Sequence, residues 1–226
     1  MGTVKTQDSP YYNYPLLKEK NIEKTFFNIA TKRTVDIVGS VFGLIFLLPI
    51  FIIVAVLIKI EDPKGPVFFS QVRVGKNNKE FKMFKFRSMV TDAEEKLQQL
   101  LKYNEVSGAM FKMKDDPRIT RIGSFIRKTS IDELPQLINV LIGNMSLVGP
   151  RPPLPREVSE YTDYDMQRLL VTPGCTGLWQ VSGRNDLNFN EMVELDLEYI
   201  VEQNIKLDIK IIFKTIVIMI KPDGAY

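Results

Sequence analysis

The stretch Ser130-Ile131-Asp132-Glu133-Leu134-Pro135-Gln136 places two adjacent carboxylates between a hydroxyl and a proline, and an apolar run to Ile142 follows it. Proline is tolerated in the first turn of a helix and is costly further in. The pattern therefore predicts a helix from about Asp132 to Ile142, with both carboxylates in its first turn. There the free backbone N–H groups and the positive end of the helix dipole favour the ionised form. An ionised aspartate at a helix start can act as a nucleophile or bind a metal ion.

The same residues also fit a purely structural interpretation. Ser130 and Glu133 have the spacing of a capping box, in which the Glu133 side chain only satisfies a backbone donor. Acidic residues are common in first helical turns for no catalytic reason. On this stretch alone a helix cap is the more ordinary interpretation, and the choice depends on the rest of the chain.

The composition excludes several classes of enzyme. The 226 residues contain no histidine, which excludes Ser-His-Asp and Cys-His catalysis, phosphohistidine intermediates and His-ligated zinc. Cys175 is the single cysteine, so there is no disulfide framework, and we expect a packed side chain rather than a reactive thiol. The net charge of +3 is too small to indicate a nucleic-acid partner. Carboxylate, hydroxyl or lysine chemistry and oxygen-binding cations remain.

The longest apolar run covers residues 37–58 and carries no charge. As one helix it would extend over roughly 33 Å, about the thickness of the hydrocarbon layer of a membrane. Pro49 lies in its middle, where it removes one backbone hydrogen bond and predicts a kink. The spacing Gly39-x-x-x-Gly43 favours close helix packing, although in a single segment this signal is weak.

Both flanks of this run are basic. The charges are Lys24, Lys32 and Arg33 before it and Lys59, Lys64 and Arg73 after it. Cytoplasmic flanks of membrane segments collect lysine and arginine, so this symmetry favours both ends on one side of the membrane. A re-entrant helix–break–helix that dips into one leaflet agrees with the proline and with the charges. A kinked spanning helix agrees with the length, and both alternatives stay open at this point.

The other segments predict a small set of elements. Residues 1–20 are polar and aperiodic, which is typical of a flexible tail. Residues 67–88 alternate around the turn sequence Gly75-Lys76-Asn77-Asn78 and predict a β-hairpin. Thr91-Asp92-Ala93-Glu94 resembles a capping box that opens a helix through Leu101. We expect residues 104–129 to be loop.

The last helix is predicted from Leu207 to Ile220. One of its faces carries Lys206, Lys210, Lys214 and Lys221, and another carries Ile209, Ile212, Phe213, Ile216 and Ile220. This separation indicates an interfacial amphipathic helix as readily as a core helix.

Two loops and one basic region carry groups suited to phosphate. Pro150 and Pro152 hold Arg151 in an extended backbone, which prepares its guanidinium for bidentate phosphate binding; a rigid loop with an exposed arginine is the plainer interpretation. The segment from Thr172 to Arg184 is rich in glycine and hydroxyl groups and can cradle a phosphate or nucleotide through backbone N–H groups. The region from Lys64 to Arg87 carries seven basic residues against one acidic residue, which fits anionic lipid headgroups or substrate phosphates.

A series of motifs in this order resembles one known family. They are Lys32-Arg33-x-x-Asp36, Lys85-Phe86-Arg87-Ser88-Met89, Asp116-Pro117-Arg118-Ile119-Thr120-Arg121-Ile122-Gly123, Asp132-Glu133-Leu134-Pro135-Gln136, Pro150-Arg151-Pro152 and Thr176-Gly177-Leu178-Trp179-Gln180-Val181-Ser182-Gly183-Arg184. Across roughly residues 30 to 222 the chain is similar to the bacterial sugar transferases, the monotopic phosphoglycosyl transferases that begin polysaccharide and glycoconjugate assembly. Some members break the membrane helix at a Ser-Pro pair, where this chain has Leu48-Pro49. Long members add transmembrane helices in front, so the chain resembles a minimal catalytic form.

The resemblance implies a reaction and its participants. A phosphosugar would move from a UDP-sugar to a polyprenyl (undecaprenyl) phosphate with release of UMP, and Mg²⁺ would be required. The products would begin exopolysaccharide, capsule, O-antigen or glycoprotein glycan assembly. Because the acceptor is insoluble in water, the site is expected at the membrane surface, on the cytoplasmic face of the bacterial inner membrane. Membrane lipid is therefore an expected partner, nucleic acid is not, and a homodimer stays open.

The resemblance also implies roles for individual residues. Asp132 would be the nucleophile that forms an aspartyl-phosphosugar, and Glu133 would bind metal or handle a proton, so both are candidate metal ligands. Arg151 would position phosphate. Further candidates for phosphate, nucleotide or sugar contacts are Lys85, Arg87, Arg118, Gln180 and Arg184.

Two other functions are compatible with parts of the sequence. A membrane-anchored glycosyltransferase could hold a metal–nucleotide with Asp115-Asp116 and would release UDP. A non-catalytic scaffold of a polysaccharide assembly complex would use the Asp132-Glu133 pair only as a cap.

The expected architecture follows from these assignments. We predict a mainly helical α+β, monotopic membrane protein with a re-entrant N-terminal helix, a small β-hairpin and interfacial amphipathic helices. Residues 1–20 would be a tail, residues 21–60 the membrane-associated part, and residues 61–226 a cytosolic-face catalytic domain that ends in the amphipathic helix.

Overall fold

The computed structural model describes residues 14, 16–17, 26–103, 113, 115–183 and 187–220. Within these residues the chain forms eight α-helices and four short strands, joined by loops and 3₁₀ turns. In chain order they are α1 (Phe26–Phe46), α2 (Leu48–Glu61), β1 (Phe68–Val74), β2 (Glu80–Phe86), α3 (Ala93–Leu100), α4 (Arg121–Lys128), α5 (Gln136–Ile142), β3 (Ser146–Val148), α6 (Pro155–Val158), β4 (Gly174–Thr176), α7 (Phe189–Glu202) and α8 (Ile205–Ile220). The predicted mainly helical α+β class is confirmed.

The apolar run forms two helices rather than one. The axes of α1 and α2 differ by 58°, with the bend at Leu47. Pro49 lies in the first turn of α2, where its missing N–H costs little, so the helix breaks just before it. This confirms the predicted kink. Among the described residues, no single helix has the length and apolar content to cross a membrane; the bent pair reaches both only when its two helices are counted together.

Two glycines bring α1 close to the rest of the protein. A Cβ atom at Gly39 would lie 2.6 Å from the Leu147 side chain, and one at Gly43 would lie 3.0 Å from the Leu137 side chain. The Gly-x-x-x-Gly spacing therefore serves close packing of α1 against β3 and α5 of the same chain. The opposite side of the bent pair leaves large apolar side chains exposed, among them Val38, Phe42, Ile45, Phe46, Ile52, Ile53 and Ile60.

The predicted hairpin is present. β1 and β2 pair antiparallel, with Phe68 opposite Phe86 and Val74 opposite Glu80. Phe86 is almost fully buried and contacts the ring of Phe51 on α2, with ring centroids 5.1 Å apart. The hairpin is thereby packed against α2. A second, parallel pair of strands, β3 and β4, was not predicted.

Among the described residues the interior consists of four small clusters. The first joins α2, β2 and α4, the second lies under α7, the third joins the hairpin to α5, and the fourth joins β3 to α7 and α8. Their buried members are Val54, Ile58, Phe86 and Ile126; Tyr164, Val193, Leu197 and Ile200; Met83, Val140 and Met145; and Val148, Tyr199 and Ile211. Cys175 packs at the edge of the third cluster, and burial raises the pKa of its thiol, in agreement with the predicted packing role.

Several local predictions need correction. The region 104–129, expected to be loop, contains helix α4, which is capped by Thr120. The amphipathic pattern of this helix is only two turns long. Helix α7 was not predicted at all. Helix α3 begins at Ala93, and its N-cap residue Asp92 makes no side-chain cap bond, so the proposed capping box at Thr91 is wrong.

The C-terminal helix was predicted well. It begins at Ile205, two residues before the predicted start. Asp208 and Ile211 are buried, whereas Ile209, Phe213 and Ile216 are each at least half exposed. Three residues of the predicted apolar face are therefore turned away from the core of the described structure, whereas Ile212 packs against the fourth cluster.

Part of the predicted N-terminal tail contacts the folded body. The backbone N–H of Leu17 donates to Gln167 Oε1 at 2.6 Å, and the N–H of Tyr14 donates to the Tyr164 hydroxyl at 3.3 Å. Tyr14 and Leu17 also pack against the cluster under α7. The rest of the predicted tail lies outside the described residues.

Candidate active site

The Asp132-Glu133 pair lies in a 3₁₀ turn, Ile131–Glu133, and the α-helix begins four residues after Asp132, at Gln136. The predicted helix start is therefore wrong. Pro135 has no N–H to donate, and the bonds around it run over three residues, as from the Leu134 N–H to the Ile131 carbonyl. Here the regular α-helical pattern begins at Gln136, directly after the proline.

The capping interpretation of Glu133 is also wrong. Ser130 adopts a left-handed backbone conformation, with φ of 56°, and its side chain makes no cap bond. Glu133 Oε1 instead accepts a hydrogen bond from Lys85 Nζ at 2.6 Å. A non-glycine residue in this conformation costs free energy and is often found at functional sites. The turn presents Glu133 to the β-hairpin rather than to its own backbone.

The two carboxylates have different electrostatic surroundings. Burial raises the pKa of Asp132 to about 6, with the Lys85 charge opposing this shift and the Glu133 charge adding to it. Burial also raises the pKa of Glu133, but the Lys85 ammonium outweighs it, with help from Arg151 and Arg73, so this pKa is lowered overall. The expectation that the helix start favours ionised Asp132 is thus overturned, because desolvation dominates. Pairs of carboxylates with separated pKa values are typical of active sites.

Arg151 lies in the basic surroundings of this pair. Its Nη1 is 3.7 Å from Glu157 Oε2, and about a third of its side chain is exposed. The contact is long for an ion pair, so the guanidinium keeps donors for another anion. The charges of Lys85 and Arg151 both lower the pKa of Glu133, so the structure brings these two predicted candidates close to the Asp132-Glu133 pair.

Arg73 is a candidate that the sequence argument missed. It is 5% exposed and donates from Nη1 to the Pro152 carbonyl and from Nη2 to Gln71 Oε1. Its Nε is buried without a hydrogen-bond partner. Burial and the nearby Arg151 lower the pKa of Arg73 to about 9, which leaves it charged at neutral pH. Its position inside a strand was visible in the sequence, but the burial of that strand face was not.

Two of the predicted basic candidates form ion pairs with other carboxylates. Arg87 is buried and pairs with Asp62, just after α2, at 2.6 Å. Arg118 is buried, and its guanidinium donates hydrogen bonds to both carboxylate oxygens of Asp116, at 2.6 to 3.2 Å. The Arg87–Asp62 pair connects the ends of β2 and α2, and the Arg118–Asp116 pair stabilises one loop, so both arginines have a structural use.

The remaining candidates, Gln180 and Arg184, follow β4 in the sequence. Gln180 is half-buried in a short 3₁₀ turn, Trp179–Val181. Trp179 in the same turn is half-buried, consistent with a packing role. Arg184 lies outside the described residues.

The donor atoms available for a metal ion are the Asp132 and Glu133 carboxylates. Elsewhere in the described ranges, as here, no group of three or more His, Cys, Asp or Glu side chains converges on one point. Mg²⁺ is commonly bound by one or two carboxylates together with water and substrate phosphate oxygens. The two adjacent carboxylates fit that type of site.

Comparisons with known proteins identify the family. The sequence model of the bacterial sugar transferase family matches residues 27–222. The chain is 49% identical over 203 residues to the galactosyl transferase CpsE of Streptococcus agalactiae, covering 88% of this chain and 44% of that protein. It is 47% identical over 199 residues to the undecaprenyl-phosphate galactose phosphotransferase of Salmonella typhimurium, covering 86% and 41%.

A third relative is similar in length. The exopolysaccharide production protein ExoY of Sinorhizobium fredii is 40% identical over 200 residues, covering 87% of this chain and 88% of ExoY. The chain thus spans less than half of the first two relatives and most of the third. With the family match over most of its length, the chain belongs to the bacterial sugar transferase family.

Proposed function

We propose that the protein transfers a sugar-1-phosphate from a UDP-sugar to undecaprenyl or another polyprenyl phosphate, with release of UMP. The observation that carries this proposal is the buried Asp132 beside Glu133, Lys85 and Arg151, in a chain that also has an exposed apolar helix pair. The relative from Salmonella is named for transfer to undecaprenyl phosphate, and ExoY for exopolysaccharide production. We place the reaction at the start of such a polysaccharide.

The chemistry would proceed by two displacements at phosphorus. An Asp132 oxygen attacks the β-phosphorus of the UDP-sugar, the bond from that phosphorus to the bridging oxygen breaks, and UMP leaves. The acyl phosphate that remains is then attacked by an oxygen of the polyprenyl phosphate, which frees the Asp132 carboxylate. Neither half needs an external oxidant or a histidine. With a pKa of about 6, Asp132 is mostly ionised at neutral pH.

The other side chains would hold Glu133 in place and stabilise the negative charge of the substrate phosphates. Lys85 holds Glu133 in place, and Arg151 would donate hydrogen bonds to phosphate oxygens. Mg²⁺, held by Asp132 and Glu133, would neutralise phosphate charge. Arg73 would add a fixed positive charge behind Arg151.

The described contacts also support a re-entrant membrane segment. Near the start of α1, Lys32 Nζ lies 2.8 Å from Asp208 Oδ2 on α8. At the other end of the pair, Glu61 accepts hydrogen bonds from the backbone N–H groups of Arg121 and Ile122, which begin α4. Both ends of the bent pair are therefore bonded to the same folded body, which favours entry and exit at one membrane face.

We place that face in the cytoplasm of a bacterial cell. The exposed apolar side chains of α8, Ile209, Phe213 and Ile216, would enter the interface beside the bent pair, with the lysines of this helix near the lipid headgroups.

The decisive experiment is an assay of nucleotide release with a panel of UDP-sugars, with and without polyprenyl phosphate. We expect UMP and a lipid-linked phosphosugar with at least one donor. Release of UDP would instead indicate a glycosyltransferase that uses Asp115-Asp116. That alternative is disfavoured because Asp116 is fully engaged by Arg118. Full function of an Asp132→Asn protein in cells would indicate a scaffold.

A further inference from the structure

Three charged residues on neighbouring turns of α1 all bond to other parts of the protein. They are Lys32, Arg33 and Asp36, which the sequence identified only as the start of a membrane helix. Asp36 is 5% exposed, although it lies directly before the apolar part of α1. A charged residue is rarely buried without a specific partner. We therefore expect the contacts of these three residues to have a structural role.

Arg33 binds the end of the helix that follows the Asp132-Glu133 pair. Its Nη1 donates to the Val140 carbonyl at 2.7 Å, and its Nη2 donates to the Leu141 carbonyl at 2.9 Å. Carbonyls in the last turn of a helix lack the regular intrahelical partner and attract positive charge. The Val140 carbonyl also accepts from the Gly143 N–H at the helix end. Arg33 therefore attaches α1 to the C-terminal end of α5.

Asp36 and Lys32 bind the strand that leads to Arg151. Asp36 Oδ1 accepts hydrogen bonds from Ser146 Oγ and from the Leu147 backbone N–H, both at 2.9 Å. Lys32 Nζ donates to the Val148 carbonyl at 3.1 Å. These contacts hold every residue of β3 against α1.

The segment after β3 is held on its other side by the hairpin. The Arg73 guanidinium donates to the Pro152 carbonyl, and the Val74 N–H donates to the Pro153 carbonyl at 2.9 Å. Arg151 thus lies between two attachments, one to α1 through β3 and one to β1. The distance from Asp132 to Arg151 depends on both.

We propose that Asp36 is a positioning residue: by fixing β3 it sets the place of Arg151 relative to Asp132, so that α1 is part of the catalytic framework as well as a membrane segment. This inference rests on the proposed function for its kinetic consequences. Arg33 supports the same arrangement from the Asp132 side, through α5.

The bonding pattern of Asp36 makes the inference testable. Both of its hydrogen bonds end on the same oxygen, so an asparagine can reproduce them with its amide oxygen, whereas an alanine cannot. We therefore expect Asp36→Asn to keep turnover within about threefold of wild type, and Asp36→Ala to lower it about 10- to 100-fold through a displaced Arg151. Ser146→Ala removes one of the two bonds and should fall between them.

A double-mutant cycle separates positioning from general loss of structure. If Asp36 acts through Arg151, then Asp36→Ala should lower turnover much less in an Arg151→Lys protein than in wild type. Equal fold losses in the two backgrounds would overturn the inference. The matched control is Thr34→Ala, an exposed position on the same helix whose hydroxyl donates to the Ala30 carbonyl of that helix, which should leave turnover and membrane association unchanged.

Amide hydrogen exchange tests the positioning role of Asp36 without a measurement of activity. Peptides covering residues 146–151 should exchange faster in Asp36→Ala than in wild type or Asp36→Asn, with the exchange of α4 unchanged. Unchanged exchange over residues 146–151 would overturn the inference. Wild-type protein that releases no UMP with any donor would contradict the proposed function alone, and the exchange result would still stand.

Discussion

Lys85 Nζ on β2 lies 2.6 Å from Glu133 Oε1, so the hairpin directly contacts the turn that carries the two carboxylates. The two residues are 48 positions apart in the chain. The contact explains why Glu133 is not a helix cap. It also separates the pKa values of the two carboxylates, since the Lys85 charge lowers that of Glu133 below its usual value while burial keeps that of Asp132 high.

Removal of the Lys85 charge should move the pH dependence of turnover. The ammonium opposes the raised pKa of Asp132, so Lys85→Met should raise this pKa further and shift the acidic limb of the pH–rate profile upward by about one pH unit. Lys82→Met, an exposed lysine on the same strand, should leave the profile in place. Identical profiles for both variants and wild type would show that Lys85 does not act on Asp132.

In the wild-type protein the first displacement should lose rate at acidic pH. In the proposed mechanism the ionised form of Asp132 is the reactive one. Because its pKa is raised to about 6, the rate should reach its plateau above that pH and fall as the pH falls through it. At pH 5 we expect about a tenfold lower rate of UMP release than at the plateau. Because the pKa of Glu133 is lowered, its ionisation should not limit this range. A flat profile between pH 7 and 5 would contradict the assignment of Asp132.

Covalent catalysis by Asp132 should be visible directly. Incubation with UDP-sugar and Mg²⁺ alone should leave a phosphosugar on the peptide that contains Asp132, and the complete reaction should show ping-pong kinetics, with UMP leaving before the lipid phosphate reacts. Asp132→Asn should abolish both labelling and turnover, whereas Glu133→Gln should slow turnover without necessarily preventing labelling. Asp163→Asn, at an exposed position, is the control. Turnover by Asp132→Asn would favour direct in-line transfer.

The planar guanidinium of Arg151 should matter more than its charge. Arg151→Lys keeps the positive charge but loses the two-pronged donor geometry, so we expect at least a tenfold loss of turnover, about 1.4 kcal/mol in activation free energy. Arg156→Lys, an exposed neighbour, should have no such effect. Equal turnover of Arg151→Lys and wild type would mean that Arg151 serves only the loop.

The proposed re-entrant arrangement predicts from which side of the membrane the two ends of the helix pair can be labelled. In a Cys175→Ala background, cysteines placed at Asn28 and Lys64 should react with a membrane-impermeant reagent from the same side of the membrane. Pro49→Ala supplies the backbone N–H that a continuous helix would need at this position and should favour the spanning form. Labelling of the two sites from opposite sides in the parent protein would establish a spanning helix.

The sequence by itself determined the features that depend on local pattern. The hairpin was predicted from alternation and turn residues, the bend from Pro49, the C-terminal helix from its repeating faces, and the Asp132-Glu133 pair from its order among the family motifs. These signals are local because a turn residue or a proline acts on its own backbone. The short helix α4 gave too few turns for a recognisable period, and it was missed.

Only the tertiary structure decided what the charged side chains do. Arg87 and Arg118 looked like phosphate ligands, yet each is paired with a carboxylate of the fold, whereas Arg73 looked like part of an exposed basic run and is buried behind Arg151. Asp36 looked like the polar edge of a membrane helix and holds the strand that leads to Arg151. The free energy of a charge depends on its burial and on partners distant in sequence, so residue type alone cannot assign these roles.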